Sequence, residues 1–357
     1  MSSAPIRYAP SVEHVQADEA ETINGLNSTF DTILHTTAED GHHAIRAVHA
    51  KAHGILQGTM TIKDGLPPEL AQGLFATPGE HKIYLRLSTN AGEILPDSIV
   101  LPRGMSLKVL DAKGDRLPGA SGTTQDFIMV NGDVFVAKTA DKFLGNLKLL
   151  AKTTDTLEGT KKVMSTVLGG INTALSKVGL ESNTLASLGG APNVDPLGET
   201  YYSVTPFRYG DYIAKFSLVP VSKGLTSRTD TQIETSEDPN AIRDTVRAEM
   251  ISTDAVWEFK VQLCRDLEEQ PVEDPTVSWD AEAAPFQTVA TIHVAPQNSW
   301  DPAQVQAVDE EMRFSVWTGL AAHQPLGNIN RARRSTYDHS ATFRANFNKC
   351  PIHEPQP

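Results

Sequence analysis

A set of short alternating segments between residues 81 and 136 constrains this chain most. Residues 81–89 place Ile83, Leu85 and Leu87 on one face, and residues 104–111 do the same with Met105, Leu107 and Val109. Residues 126–130 add a short apolar run. A period of two is the mark of a half-buried strand. Strands recurring at turn-bounded intervals build an antiparallel sheet or barrel rather than alternating βαβ units. Similar segments lie at 55–62, 199–204, 211–221, 256–264 and 287–294, about eight strands in all. The expected class is α+β, an antiparallel β-barrel with added helices.

The remaining segments read as additions to that barrel. Residues 1–30 are polar and patternless and are read as an N-terminal arm, with residues 31–357 forming one domain. Residues 29–37 suit a short helix. From about 137 to 190 the apolar residues move to helical spacing (Phe143, Leu147 and Leu150, then Met164, Val167, Leu168, Ile171, Leu175 and Val178), a helical insertion whose stripe most simply covers the sheet. Helices are also expected at 238–250, at 302–311 and near the end of the chain.

Composition removes several functions. The chain has 357 residues and a net charge of −13, the wrong sign for a nucleic-acid partner. No run approaches the roughly 18 apolar residues of a membrane span. The first residues lack the apolar core of a secretory signal, so a soluble cytoplasmic protein is expected. The two cysteines, Cys264 and Cys350, form no CxxC pair and no CxxCH attachment site. There is no phosphate loop of the GxxxxGK(S/T) type and no GxSxG nucleophile elbow.

Two segments place polar groups where chemistry is possible. Residues about 329–347 read as a helix on which Arg333, Tyr337 and Arg344 share a face, because about 100° per residue brings positions four and seven apart nearly into line. His339 points elsewhere. A flat anionic object suits that face, although a solvated basic helix would show the same residues. Near the other end, His49 and His53 are four apart, but Ala50 stands where a zincin needs glutamate, so zinc is a weak reading. A partly buried His49 could instead carry a proton.

In order, these segments resemble the haem catalase fold family. Arg46-Ala47-Val48-His49-Ala50-Lys51 is similar to that family's distal histidine motif. Arg86-Leu87-Ser88-Thr89-Asn90-Ala91-Gly92-Glu93 resembles its RFSTVAGE stretch, with Leu87 for Phe and Asn90 for Val. Pro102-Arg103-Gly104 followed by Lys108 resembles its DPRG strand, and the spacing of Arg333, Tyr337 and Arg344 resembles its proximal ligand helix. The length is closest to the small catalase-related peroxidases.

The resemblance implies a catalase-like barrel holding haem b, its ferric iron bound axially by Tyr337 with Arg333 as charge partner. It implies Arg46, Arg103 and Arg344 on the haem propionates, Phe135 against the haem, His49 as the distal proton carrier and Ser88 hydrogen-bonded to it. The function implied is a haem peroxidase that reduces hydrogen peroxide or organic hydroperoxides through a ferryl intermediate, fed by an electron donor the sequence does not identify. An isomerase of lipid hydroperoxides, of the allene oxide synthase type, and a haem-binding sensor or carrier without turnover are the alternatives. Thr123 falls at the family's distal asparagine position, or Thr124 with a one-residue shift. The amide that orients peroxide is therefore expected to be missing and catalase activity weak. Nothing resembles the NADPH-binding part of some catalases, so NADPH is not implied. Homo-oligomers remain open by analogy. Arg46 and His49, three apart, would face opposite ways in a regular strand, so an irregular strand entrance is expected.

Overall fold

A computed structural model of the chain describes residues 3–154 and 193–355. Within them the period-two segments form β1 (Ala52–Ile62), β2 (Gly79–Thr89), β3 (Arg103–Val109), β4 (Gln125–Val130), β7 (Tyr212–Pro220), β8 (Ala255–Leu263) and β9 (Gln287–Val294). Two short strands complete the set, β5 (Tyr201–Tyr202) and β6 (Phe207–Tyr209). All pairings between them are antiparallel. Eight of the nine close a ring in the order β1-β2-β3-β4-β5-β7-β8-β9, and β6 adds a hairpin onto β7. Closure removes the exposed sheet edges that would otherwise pair with other chains.

The ring is uneven. β1 and β2 share a long ladder from Ala52↔Ser88 to Ile62↔Gly79, whereas β5 meets β4 only through Val130↔Tyr202 and β7 through Tyr201↔Leu218 and Tyr202↔Ser217. The segment read as a strand at 199–204 is thus shorter than expected.

Alternation puts Ile83, Leu85 and Leu87, with Met105, Leu107 and Val109, inside the barrel. There they join Phe75, Phe127, Phe216, Phe259, Tyr209 and His323, an aromatic cluster with ring centroids from 4.7 to 6.2 Å apart. Each fully buried phenylalanine contributes roughly 1.5–3 kcal/mol. His323 belongs to this core: it is 0% exposed, and its Nε2 accepts the Leu74 N–H at 3.0 Å.

Four longer helices pack outside the barrel among the described residues: α1 (Glu19–Gly41), α2 (Ala140–Thr154), α3 (Ala241–Met250) and α4 (Asn328–Asn348). None is long and apolar enough to cross a membrane. α1 corrects the expected boundary of the arm. Helix begins at Glu19, with Glu19 and Glu21 in the first turn, where carboxylates favour the helix dipole. Leu26, Phe30 and Leu34 recur every four residues and bury a stripe against Leu144 and Leu147 of α2 and Ile329 and Ala332 of α4. The segment before Glu19 is pinned rather than loose: Arg331 of α4 pairs with Glu13, Glu19 and Glu273 at 2.7–2.8 Å. Of the expected helical insertion at 137–190, α2 is described, and residues 155–192 lie outside the described residues.

Candidate active site

The space between the segments that precede β1, follow β2, precede β3 and follow β4 and the three helices α1, α2 and α4 is a cavity of about 280 Å³. Its walls are mostly apolar, with Phe30 and Ile33 from α1, Phe143 and Leu147 from α2, and Phe135 between them. The polar residues that line it include His49, Asn90, Glu93, Asn131, Arg333 and Tyr337. Beyond Tyr337 a smaller cavity of about 70 Å³ continues, reached by Arg46, Ser340 and Arg344. Phe30, Ala47, Val48, Thr336 and Tyr337 line both.

His49 owes its position to an irregular approach to β1. Its φ of 53° is left-handed, and β1 shifts register between Ala52 and Gly54. That conformation is uncommon outside glycine and asparagine, and the surroundings hold it. The His49 N–H donates to Asn90 O at 3.2 Å and the Ala50 N–H to Ala91 O at 2.9 Å. The turn allows Arg46 and His49 to address neighbouring cavities.

The imidazole is fixed as well as placed. Nδ1 and Ser88 Oγ share a hydrogen bond of 3.1 Å. When Nδ1–H is the donor, Nε2 keeps a free lone pair. Burial, then the positive charges of Arg86, Arg333 and Arg46, push the imidazole down to a pKa of about 3, so it is neutral at ordinary pH. The ring also lies tight over Gly104: a Cβ there would stand 2.5 Å from His49 Cε1. His53, by contrast, lies within β1, wholly buried, and neither ring nitrogen has a hydrogen-bond partner among the described residues. No group of three metal-ligating side chains occurs among those residues, so the HxxxH pair builds no zinc site there.

α4 presents the other polar wall. The Arg333 guanidinium lies 5.6 Å from the Phe135 ring centroid, with NH1 3.2 Å from Asn330 Oδ1. Tyr337, one turn on, has no hydrogen-bond partner for its hydroxyl among the described residues. Ser340 Oγ accepts the Ala47 N–H at 3.2 Å and ties the helix to the His49 turn. Arg344 is 4% exposed; it donates to the Asp309 and Met312 carbonyls at 3.1 and 3.3 Å, and its Nε has no partner among the described residues. His339 turns away to Asp31 of α1 at 2.6 Å.

Arg344 is one of three arginines around a single carboxylate. Asp309, in a π-helical turn (Gln306–Glu310), accepts from Arg46 NH1 and, at 2.8 Å, from Arg86 Nε. Burial pushes the Asp309 carboxyl up, but Arg86 and Arg46 outweigh it and hold it below its ordinary value. Burial lowers the Arg46 and Arg344 guanidiniums. Arg46 and Arg86 bond the carboxylate and Arg344 the Asp309 carbonyl; even with Glu310 near Arg46 and Arg344, three clustered guanidiniums favour an anionic ligand at the smaller cavity.

Two expected site residues lie elsewhere. Thr123 is exposed in the loop before β4, its carbonyl accepting from the Ala112 N–H at 2.7 Å, and it does not reach the cavity. An asparagine that lines it is Asn131, just past the end of β4. Arg103 shares the inward parity of Met105 and Leu107, so it points into the barrel end, pairing with Glu199 at 3.1 Å and not lining either cavity. Arg86 has the opposite parity, that of Ser88, and this pattern could have flagged it: a charged residue inside a strand, two places before one that faces His49.

No family model matches the chain, and no curated protein matches it. Solved structures do. A fungal catalase superposes with a TM-score of 0.62 at 18% identity, over 89% of this chain and 63% of that one. Catalase A from Saccharomyces cerevisiae gives 0.61 at 17%, over 98% and 69%. A bacterial catalase gives 0.62 at 15%, over 99% and 66%. The chain thus spans from 63 to 69% of the length of these proteins. At such low identity the likeness is one of architecture, and this chain has the catalase fold.

Proposed function

We propose that the chain binds haem b against Tyr337 and uses it to reduce peroxides. The observation that carries this is the Tyr337 phenol, unpartnered among the described residues and lining one cavity with a neutral His49. The donor set suits haem. A phenolate is an axial ligand of haem iron in catalases. Arg333, one turn earlier and lining the same cavity, would be the charge partner of the bound phenolate. Arg46 and Arg344, backed by Arg86, hold more positive charge than Asp309 balances and would take the two propionates. The Arg344 Nε, without a partner among the described residues, is one donor available for that purpose. Phe135 and the apolar walls would cover the macrocycle.

When bound, haem would supply a redox-active ferric centre at which the O–O bond of a peroxide is reduced by two electrons, which an external electron donor or a second hydrogen peroxide must return. His49 Nε2 takes the proton from one peroxide oxygen and delivers it to the leaving one, so water or an alcohol departs instead of its anion. Ser88 keeps the ring oriented. Asn131 offers an amide N–H to the peroxide, the part that Thr123 could not play. With that amide in the cavity, disproportionation of hydrogen peroxide stands beside reduction of organic hydroperoxides. Isomerisation of a lipid hydroperoxide is the second function compatible with the site, favoured by the apolar wall of Phe30, Ile33, Phe143 and Leu147.

The test is the absorption spectrum of the protein loaded with haem, before and after peroxide. A high-spin ferric Soret band is expected, and Tyr337→Phe should abolish it or convert it to that of loosely held haem. An unchanged spectrum in Tyr337→Phe would sink the ligand assignment. Oxygen release, dye oxidation and analysis of fatty hydroperoxide products then separate disproportionation, reduction and isomerisation.

A further inference from the structure

We propose that Glu199 and Arg103 form a positioning device that fixes which atoms of the Asn131 carboxamide face the cavity. The proposal deepens the function above, in which Asn131 meets the peroxide.

A primary amide has two nearly isosteric ends, one donating and one accepting, and only its partners decide which way round it sits. Here both partners are unambiguous. Asn131 Oδ1 accepts the backbone N–H of Arg103 at 2.9 Å, a group that can only donate. Asn131 Nδ2 donates to Glu199 Oε1 at 2.8 Å, and a carboxylate can only accept. Turning the amide over would break both bonds and set donor against donor and acceptor against acceptor. The orientation held leaves the second N–H of Nδ2 without a partner among the described residues, on a residue that lines the cavity.

The device is itself held. Glu199 Oε2 accepts from Arg103 NH1 at 3.1 Å, so one arginine grips Asn131 through its backbone and Glu199 through its side chain. Arg103 NH2 continues to Asn193 Oδ1 at 3.1 Å, and Asn193 Nδ2 is anchored on Asp97 O at 2.7 Å. Arg103 is 2% exposed, and burial raises the Glu199 carboxyl while Arg103 and Asn131 pull it back. The network accounts for an arginine that the fold turns away from both cavities: it serves the amide.

The experiment needs no haem for its first half. Selective 15N-asparagine labelling of the chain should show an Asn131 side-chain NH2 with one proton shifted downfield and slow to exchange, assigned by its loss in Asn131→Ser. Glu199→Gln should move that signal and speed its exchange, and Glu199→Asp should restore it in part. In the haem-loaded protein Glu199→Gln should lower kcat/KM for hydrogen peroxide roughly 10-fold, the weight of one hydrogen bond, with the Soret band in place. A wild-type Asn131 amide that exchanges as freely as an exposed one would overturn the proposal, even if no variant folds. So would a Glu199→Gln protein with both the amide signal and kcat/KM unchanged. A chain that takes up no haem would refute the proposed function and still leave the amide signals to test the device.

Discussion

Replacing Gly104 with alanine sets a methyl group against the His49 ring, and the geometry fixes how far the ring must yield. The new Cβ would lie 2.5 Å from His49 Cε1, 2.7 Å from Nδ1 and 3.2 Å from Ser88 Oγ. Non-bonded carbons settle at about 3.5–4.0 Å, so the ring has to retreat by roughly 1 Å. Its backbone cannot follow, because the left-handed turn is tied down by Asn90 O and Ala91 O. The motion is therefore a rotation that breaks the bond from Nδ1 to Ser88 Oγ. A displacement of about 1 Å in a group that must meet a reacting atom costs roughly 100-fold in rate. Overpacking at so tight a contact should also cost about 1–3 kcal/mol of stability. The assay is peroxide consumption by haem-loaded Gly104→Ala, with haem content read from the Soret band and stability from urea unfolding. Gly145→Ala is the control: it lies in α2 where a Cβ meets nothing within 4 Å, so it should gain up to about 1 kcal/mol and leave turnover alone. Wild-type turnover in a haem-bound Gly104→Ala protein would refute His49 as the proton carrier.

Two further outcomes are expected. Asp309→Asn should destabilise the haem-free protein by about 3–5 kcal/mol, since it leaves Arg46 and Arg86 buried without their carboxylate, and haem should then raise the melting temperature more than it does in the wild type. Equal haem-free stability of the two proteins would remove the case for an anion-hungry arginine cluster. Acid should destabilise the fold through His323, whose pKa is pushed down to about 3 by burial. Its unfolded form takes up a proton near pH 6.5 and its folded form does not, so this stability is whole above that pH and falls as pH drops towards 3. At pH 4.5 the loss is about 3 kcal/mol, and His323→Gln should flatten that part of the pH profile; a profile no flatter than wild type would count against it.

Much of the barrel was legible because a strand with one buried face repeats every second residue, as Ile83, Leu85 and Leu87 do. β6 was not read, because three residues are too few to show a period. The arm was misjudged because the stripe of α1 is sparse: Leu26, Phe30 and Leu34 stand among mostly polar residues, of which Ser28 and Thr32 face solvent. Helical spacing alone put Arg333, Tyr337 and Arg344 on one face of α4, and only the resemblance gave that face a role. Asn131 required pairing information. β3 and β4 run antiparallel with Gly104 opposite Val130, which sets Asn131 beside Arg103, and no local pattern announces that register. Matching the loop before β4 to a family motif led instead to Thr123. Asp309 was unreadable for the same reason, since its meaning comes from arginines 223 and 263 residues away.

Mechanically, the barrel is a broad sheet held shut by a clasp. β5 brings two residues to the closure, against the eleven-residue strands β1 and β2 on the far side of the ring. Glu199 stands two residues ahead of that clasp, and Asn131 immediately follows the one residue of β4 that the clasp engages. Glu199 and Asn131 are bonded to each other, so the short closure and the amide share one set of contacts, and the ion pair of Arg103 and Glu199 works as the pin through the clasp.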